Sequence, residues 1–377
     1  MVVHVLCAFP SLSAAAQLER CAARRFHVRC AASYVTIGRD ISSCHRRTVM
    51  NLPSPFPVVH SVLAPHALLT HVLPGYDIPA PHSCFLLTRS MNDTYLVRSV
   101  NANYILRIYR AGWRSQDDIL FEVDALRHLE RYGVSVAPPL PRGDGTFLTR
   151  LDAPEGTRYA VLFAYAPGGP LTPIRDHCFH YGRAVAALHH ATDHFTSTHA
   201  RFSLDLDHLL AQPLLALQPL LADYAAAWRY LNDTGALLRG YMTKLARHDL
   251  PRGFCHGDLY PANAYITDNH VVTLFDFDCC GMGWRAYDLA VFRYEMVREP
   301  ADLWDAFLNG YQSEHPVSQR EVDAIPWLVA LRTIWHMGLY AHNGQEWGIS
   351  RLSRAYIEER ISFLQRWAKT WLTAQQH

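Results

Sequence analysis

Phe254-Cys255-His256-Gly257-Asp258-Leu259-Tyr260-Pro261-Ala262-Asn263, with Asp276-Phe277-Asp278 closing the apolar run Val271-Val272-Thr273-Leu274-Phe275, decides how this chain is read. Asp258, Asn263 five residues on and Asp276 thirteen beyond that are the parts of a metal-dependent phosphoryl-transfer site. Asp258 would orient an acceptor hydroxyl and take its proton, while Asn263 and Asp276 offer hard oxygen ligands suited to Mg²⁺. His256 is expected to brace the loop by hydrogen bonding. Asp278 would face the same way as Asp276 on a strand, either as a second metal contact or as a loop-bracing carboxylate. Asp and Asn are common in turns, but H-G-D with Asn at plus five and D-F-D ending an apolar strand is a specific combination.

Working outward, 377 residues can bury a substantial core, and two packed units are expected. Thirty-five basic against 34 acidic side chains leave a formal charge of +1, which gives no electrostatic case for nucleic acid or an acidic membrane surface. No apolar run reaches the ~20 residues of a membrane-spanning helix. The nine cysteines lack metal-ligand spacing, which suggests reduced thiols and a cytoplasmic setting. The 22 histidines are dispersed and read as surface or satisfied core residues. Only Lys244 and Lys369 are lysines, so a cationic role nearer the N-terminus falls to Arg or His.

Residues 1–50 carry seven Arg and four Cys with little periodicity. They resemble a transit peptide in composition, but are read as a disordered upstream extension with Met50 as the start of the folded protein. From 51 to 166 the pattern is that of a small lobe. A helical candidate at Pro65–Leu73 precedes strands at Cys84–Thr88, Thr94–Ser99 and Tyr104–Tyr109. A capping box at Ser115–Asp118 opens a helix that Gly133 ends, and strands at Gly145–Thr149 and Tyr159–Tyr165 follow. Pro167-Gly168-Gly169-Pro170 breaks this pattern. Residues 167–377 turn helical, with candidates at Ile174–His194, Pro213–Leu231, Thr234–His248, Asp288–Arg298, Ala301–Glu314, Ser318–His342 and Ser353–Trp371. Short strands at Ala264–Thr267 and Val271–Phe275 interrupt them. The fold class is α+β and bilobal: a small antiparallel-sheet lobe, a hinge, and a larger helical lobe.

H-G-D-L-Y-P-A-N followed by L-F-D-F-D closely resembles the aminoglycoside phosphotransferase and choline kinase-like family, whose usual pattern is H-G-D-L-H-P-G-N. Tyr260 and Ala262 depart from that pattern without touching a proposed catalytic group. The resemblance spans about residues 80–370. It implies a protein-kinase-like fold that transfers the γ-phosphate of ATP or GTP, with Mg²⁺, to a hydroxyl of a small molecule such as an amino alcohol, an amino acid like homoserine, or an aminoglycoside. It further implies Asp258 as the catalytic residue, Asn263 and Asp276 as metal ligands, and Asp288 as the group tying the metal loop to its helix. Arg107 occupies the third-strand position where kinases place Lys, and Glu122 on the following helix either pairs with it or is exposed. Arg is a planar fork and Lys a point charge, so the exchange alters geometry. The loop Ser90–Thr94, with Ser90 and Asn92, should cover the phosphates, and Phe163–Ala166, with Phe163 and Tyr165, should hydrogen-bond the base through its backbone. A protein Ser/Thr kinase and a nucleotide-binding pseudokinase are the alternatives.

The acceptor pocket is expected among Trp284, Tyr294, Trp327, Arg332, Trp335, His336 and Tyr340. Arg332 could meet a substrate carboxylate. The segment 324–345 offers only Glu346, just beyond its end, as an acid, which favours a small amino acid or amino alcohol such as homoserine over a strongly cationic aminoglycoside.

Overall fold

The computed structural model describes residues 56–246 and 250–373. The chain divides into two units, Met1–Pro57 and Val58–His377, and the second carries the elements below. The extension expected at residues 1–50 lies outside the described residues.

Helix α1 (Pro65–Ala67) continues as tighter and wider turns to Gly75. Strands β1 (Ser83–Arg89), β2 (Asn92–Arg98) and β3 (Asn103–Tyr109) form the expected meander. After helix α2 (Gln116–Arg131) come β4 (Thr149–Ala153) and β5 (Gly156–Ala164), and the sheet order is β1-β2-β3-β5-β4. The pleat sorts β3 into two faces. Leu106 and Ile108 join a core with Leu73, Tyr95 and Leu162, while Arg107 and Tyr109 face the opposite way, with Tyr109 in the cluster that α2 also enters. Ser115 and Asp118 cap α2 reciprocally, and Gly133 follows it with φ +74.

Three expectations in this lobe need correction. Residues 145–148 are irregular, following a turn at 143–144, and β4 starts only at Thr149. The Asp144 carboxylate accepts hydrogen bonds from the Thr146 amide (2.9 Å) and hydroxyl (2.6 Å), closing a side-chain-mediated turn where an apolar strand was expected. The loop expected at 90–94 is only Ser90-Met91, because Asn92 already pairs with Tyr109 in the sheet. The Tyr159–Tyr165 strand ends at Ala164, which leaves Tyr165 in the hinge.

The large lobe begins with β6 (Gly169–Pro170), which pairs with Tyr265 and Ile266. Helix α3 (Arg175–Ala191), β7 (Ser203–Leu204), α4 (Gln212–Leu217) and α5 (Ala225–Ala246) follow. The break expected between residues 231 and 234 lies instead at 218–224. Pro219 cannot continue α4, whereas Asn232 and Asp233 sit on the exposed face of a helix that buries Ala227, Leu231, Leu238 and Met242. Next come β8 (Arg252–Cys255), β9 (Ala264–Ile266), β10 (Val272–Leu274) and β11 (Gly281–Trp284), with sheet orders β10-β9-β6 and β7-β11-β8. The chain closes with α6 (Arg285–Glu295), α7 (Ala301–Gln312), α8 (Gln319–His342), α9 (Gly344–Trp347) and α10 (Arg354–Thr373). α3 and α7 cross at backbone distance: a Cβ on Gly310 would lie 1.9 Å from the Phe179 carbonyl oxygen.

Contacts besides the hinge also join the lobes. Loop 135–137 pairs with β10, with the Leu274 amide donating to the Ser135 carbonyl and the Ala137 amide to the Leu274 carbonyl, each at 3.0 Å. On another side, Arg110 at the end of β3 donates to Glu346 (2.7 Å) and Asn343 and lies over the Trp347 ring. The Trp347 indole in turn donates to the Ser90 carbonyl (3.3 Å). No helix among the described residues is long and apolar enough to cross a membrane.

Candidate active site

β8 pairs antiparallel with β11 and delivers His256-Gly257-Asp258 at its end. Buried Asp288 fixes that turn: its carboxylate accepts from the amides of His256 (2.7 Å) and Gly257 (2.8 Å), and it also bonds His189 (3.0 Å). Gly257 has φ +78, and a Cβ there would lie 2.2 Å from the Cys279 carbonyl oxygen, so no other residue fits. His256 Nε2 reaches the Phe275 carbonyl (3.1 Å) and Nδ1 accepts from the Asp258 amide (3.3 Å). The two contacts together select the Nε2–H tautomer. Burial holds the ring below the usual histidine pKa, against the pull of Asp288 and Asp258. His256 therefore splints the loops of Asp258 and Asp276 together, the bracing role its position suggested.

Asp258 is held on both oxygens. Arg332 donates to Oδ1, and Asn263 Nδ2 donates to Oδ2 (3.0 Å) and to the Asp258 carbonyl (2.9 Å). With its amide N–H groups turned to Asp258, Asn263 has its carbonyl oxygen left for a cation. Asp276 follows β10 in a left-handed conformation (φ 64°, ψ 59°), and its side chain keeps 41% of its surface exposed. An amide oxygen and a partly exposed carboxylate are hard donors of the kind Mg²⁺ takes, so the residues present fit that ion.

From the small lobe, Arg107 donates to Glu122 (2.6 Å) and to Asp276 (3.0 Å), over the Phe163 ring. Glu122 is buried and also accepts from the Tyr109 hydroxyl (2.8 Å), so of its two readings the paired one holds. One planar fork thus spans α2 and the Asp276 loop. Ser90 lies at the hairpin tip with its carbonyl held by Trp347. Asn92 is buried with its Oδ1 unpartnered among the described residues. Phe163 pairs with Ile105 within the sheet, and the Ala164 amide is given to Pro138 (2.9 Å). Of the expected hinge positions, Tyr165 and Ala166 are the ones whose backbone lies past the paired strand.

Asp278 is not brought to this cation position. It sits in a 3₁₀ turn rather than a strand, so it does not share a face with Asp276. Its carboxylate is bound by Trp113 (2.9 Å) and Arg114 (3.2 Å), and Arg114 and Arg201 also donate to its carbonyl. Burial alone would raise its pKa, but Arg114, Arg107 and Arg201 bring it down to about 2. Asp278 is thus the anionic anchor of an arginine cluster, the bracing alternative. Sequence reading missed Trp113, Arg114 and Arg201, which no local pattern marks.

The acceptor side also departs from expectation. Arg332 is buried against Asp258, not free to meet a substrate carboxylate. Trp327 stacks on Tyr241 (3.5 Å between centroids) and meets Trp367 edge-on, Trp284 lies by Arg252, and Trp335 lies under Arg332, all as core packing. Tyr294 and His336 bond each other (3.3 Å), and Tyr340 is buried. Glu346 is committed to Arg110. The acid that sequence reading missed is Glu295, at the C-terminal end of α6. Among the described residues no hydrogen bond or ion pair reaches its carboxylate. Burial pushes it up to about 7, with Arg332 opposing and Asp258 adding to the rise. Its place two turns beyond Asp288 on the same helix was the available signal.

Residues 89–321 match the phosphotransferase enzyme family designated APH. An uncharacterized protein of Deinococcus radiodurans is 42% identical over 83% of this chain and 92% of its own. A homoserine kinase of Xanthobacter autotrophicus is 29% identical over 71% of this chain and 82% of its own. Among solved structures, a microcompartment-associated aminopropanol kinase superposes with a TM-score of 0.65 at 26% identity, covering 80% of this chain and 96% of that one.

Proposed function

Because the chain belongs to the phosphotransferase enzyme family, and is thus a kinase that phosphorylates a hydroxyl of a small molecule, we propose that Asp258 is its catalytic residue and that its acceptor is an amino alcohol, bare or as part of an amino acid such as homoserine. The convergence of Asp258, Asn263, Asp276 and the Arg107–Glu122 pair on one interlobe cleft carries the catalytic reading. Asp258, fixed by Arg332 and Asn263, orients the acceptor hydroxyl and accepts its proton as the new O–P bond forms and the bond to the nucleotide's leaving oxygen breaks. Asn263 and Asp276 hold the metal, which we take to be Mg²⁺; when bound, it neutralises charge on the phosphate oxygens. Arg107 faces the phosphates with its orientation set by Glu122. The nucleotide is ATP, with its base against the backbone of Tyr165 and Ala166. The buried, free cysteines Cys84, Cys178, Cys255, Cys279 and Cys280 suit a reducing cytoplasm.

Glu295 supports the acceptor class. A carboxylate that titrates near neutral pH among Asp258, Arg332 and Arg360, with no hydrogen bond or ion pair of its own among the described residues, suits in its charged form the ammonium of an amino alcohol. The homoserine kinase and aminopropanol kinase named above share that chemistry in their substrates. The test is turnover of Mg²⁺ and ATP against amino alcohols, homoserine, uncharged polyols and aminoglycosides, with Asp258→Asn as control. Preference for the amino alcohols is expected. Equal turnover of uncharged polyols would remove the acceptor reading, and full activity in Asp258→Asn would remove the catalytic one.

A further inference from the structure

Away from the cleft, α3 places Asp176 and His180 one turn apart on the same face, and the β9–β10 turn brings His270 to them. His270 Nδ1 lies 2.9 Å from Asp176 Oδ2, and His180 Nε2 lies 3.7 Å from Asp176 Oδ1. The two imidazoles stack at 4.6 Å between centroids and 24° between planes, so two ring nitrogens border one carboxylate. His270 holds this position in a left-handed backbone conformation, φ +59, fixed by its amide donating to the Thr267 carbonyl at 2.9 Å. One ligand atom from each residue lies within 4.8 Å of the other two. Ligand atoms of a tetrahedral zinc stand about 3.3 Å apart, given Zn–N bonds of about 2.0 Å. Rotation of the exposed Asp176 and His270 side chains about the half-buried His180 covers that difference.

We propose that Asp176, His180 and His270 form a binding site for a divalent transition-metal ion of the Zn²⁺ class, which joins α3 to the turn between the two strands that carry Asn263 and Asp276 at their outer ends. Two imidazoles and one carboxylate select Zn²⁺, Cu²⁺ or Ni²⁺ over Mg²⁺, so the site is chemically distinct from the catalytic cation's. A second trio, His189, Cys255 and Asp288, comes together in the interior. There the Asp288 oxygens already accept from His256 and Gly257, so it serves as a brace.

The test is calorimetric titration of chelator-stripped, full-length protein with Zn²⁺ in excess Mg²⁺, comparing wild type with Asp176→Asn, His180→Gln and His270→Asn. Asn is chosen at 270 because it tolerates positive φ. One Zn²⁺ equivalent is expected to weaken at least tenfold in each variant, with the metal-free melting temperature and kinase turnover unchanged. With Cu²⁺ as probe, electron paramagnetic resonance of the wild type should show coupling to two imidazole nitrogens at the first equivalent and to one in His270→Asn. Zn²⁺ isotherms that do not respond to His180→Gln and His270→Asn, or a Cu²⁺ spectrum identical in wild type and variant, would overturn the site.

Discussion

Replacing Arg107 by Met tests the charge architecture of the cleft. Arg107 and Glu122 meet at 2.6 Å, with only 9% and 1% of their side chains exposed. Removing one member of such a pair costs about 3–5 kcal/mol, chiefly because the other is left buried and uncompensated. Unfolding entropy is roughly 2.1 cal/mol/K per residue. Over the unit Val58–His377 that is about 0.67 kcal/mol/K, so the melting temperature should fall by about 4–8 °C. Burial already raises the Glu122 pKa, and Arg107 opposes that rise. Without Arg107 the carboxyl rises further. The penalty is therefore full at neutral pH and shrinks as pH falls toward the ordinary glutamate value near ~4.3, where the proton that neutral Glu122 needs is also bound in the unfolded chain. Arg107→Met/Glu122→Gln keeps an acceptor for the Tyr109 hydroxyl and removes both charges, so it should recover stability to within about 1 kcal/mol of wild type. Its turnover should stay down by roughly 10²–10³, since the phosphates still lack their cation. Scanning calorimetry and steady-state turnover read both quantities. A single variant melting within 1 °C of wild type, or a double variant no more stable than the single, would refute the reasoning.

Asp258→Asn should lower kcat by about 10²–10⁴ and leave the nucleotide Kd, measured calorimetrically, within about threefold, because the nucleotide's other contacts remain. For Glu295, anionic above its pKa of about 7, the acceptor KM should fall as pH rises through that value. Glu295→Gln should abolish this dependence and raise KM by ~10-fold or more, as the loss of a charge-assisted bond implies; a pH profile unchanged in the variant would count against the role. Gly310→Ala pushes a methyl against the Phe179 carbonyl oxygen, 1.9 Å from the ideal Cβ. It should destabilise by ~3 kcal/mol, seen as a lower urea midpoint, while kcat per folded molecule is kept.

The half of the site proposed to be catalytic was legible because its parts lie in one stretch of chain. Asp258, Asn263 and Asp276 fall within 19 residues, and local turn chemistry brings them together. Arg107 and Glu122 could be paired across a strand and a helix because burying an acid demands a partner. What escaped reading was non-local. Asp278 looked free until Trp113 and Arg114, more than 160 residues away, closed on it. Arg332 looked available until α8 laid it against Asp258. Helix limits failed where one composition suits two environments: Asn232-Asp233 reads as a break but is the wet face of α5. The fourth strand was misplaced because the Asp144 side chain captured the backbone ahead of it.

The contact of Asn343, Glu346 and Trp347 with Arg110 and Ser90 bears on how nucleotide enters and leaves. A lobe attached by a single hinge peptide can swing in any direction, as a jaw does. Here the small lobe is fastened again nearly 180 residues later in the chain, in addition to the pairing of loop 135–137 with β10 and the bonds of Trp113 and Arg114 to Asp278. With these contacts intact the small lobe does not swing freely about the hinge, and opening the cleft requires some of them to yield. Because Trp347 grips the hairpin tip at Ser90, the motion that releases the spent nucleotide must carry α9 along or first let go of that carbonyl. The aromatic and acidic side chains of α9, remote from the transferred phosphoryl group in sequence and in chemistry, are then placed to set how fast product escapes.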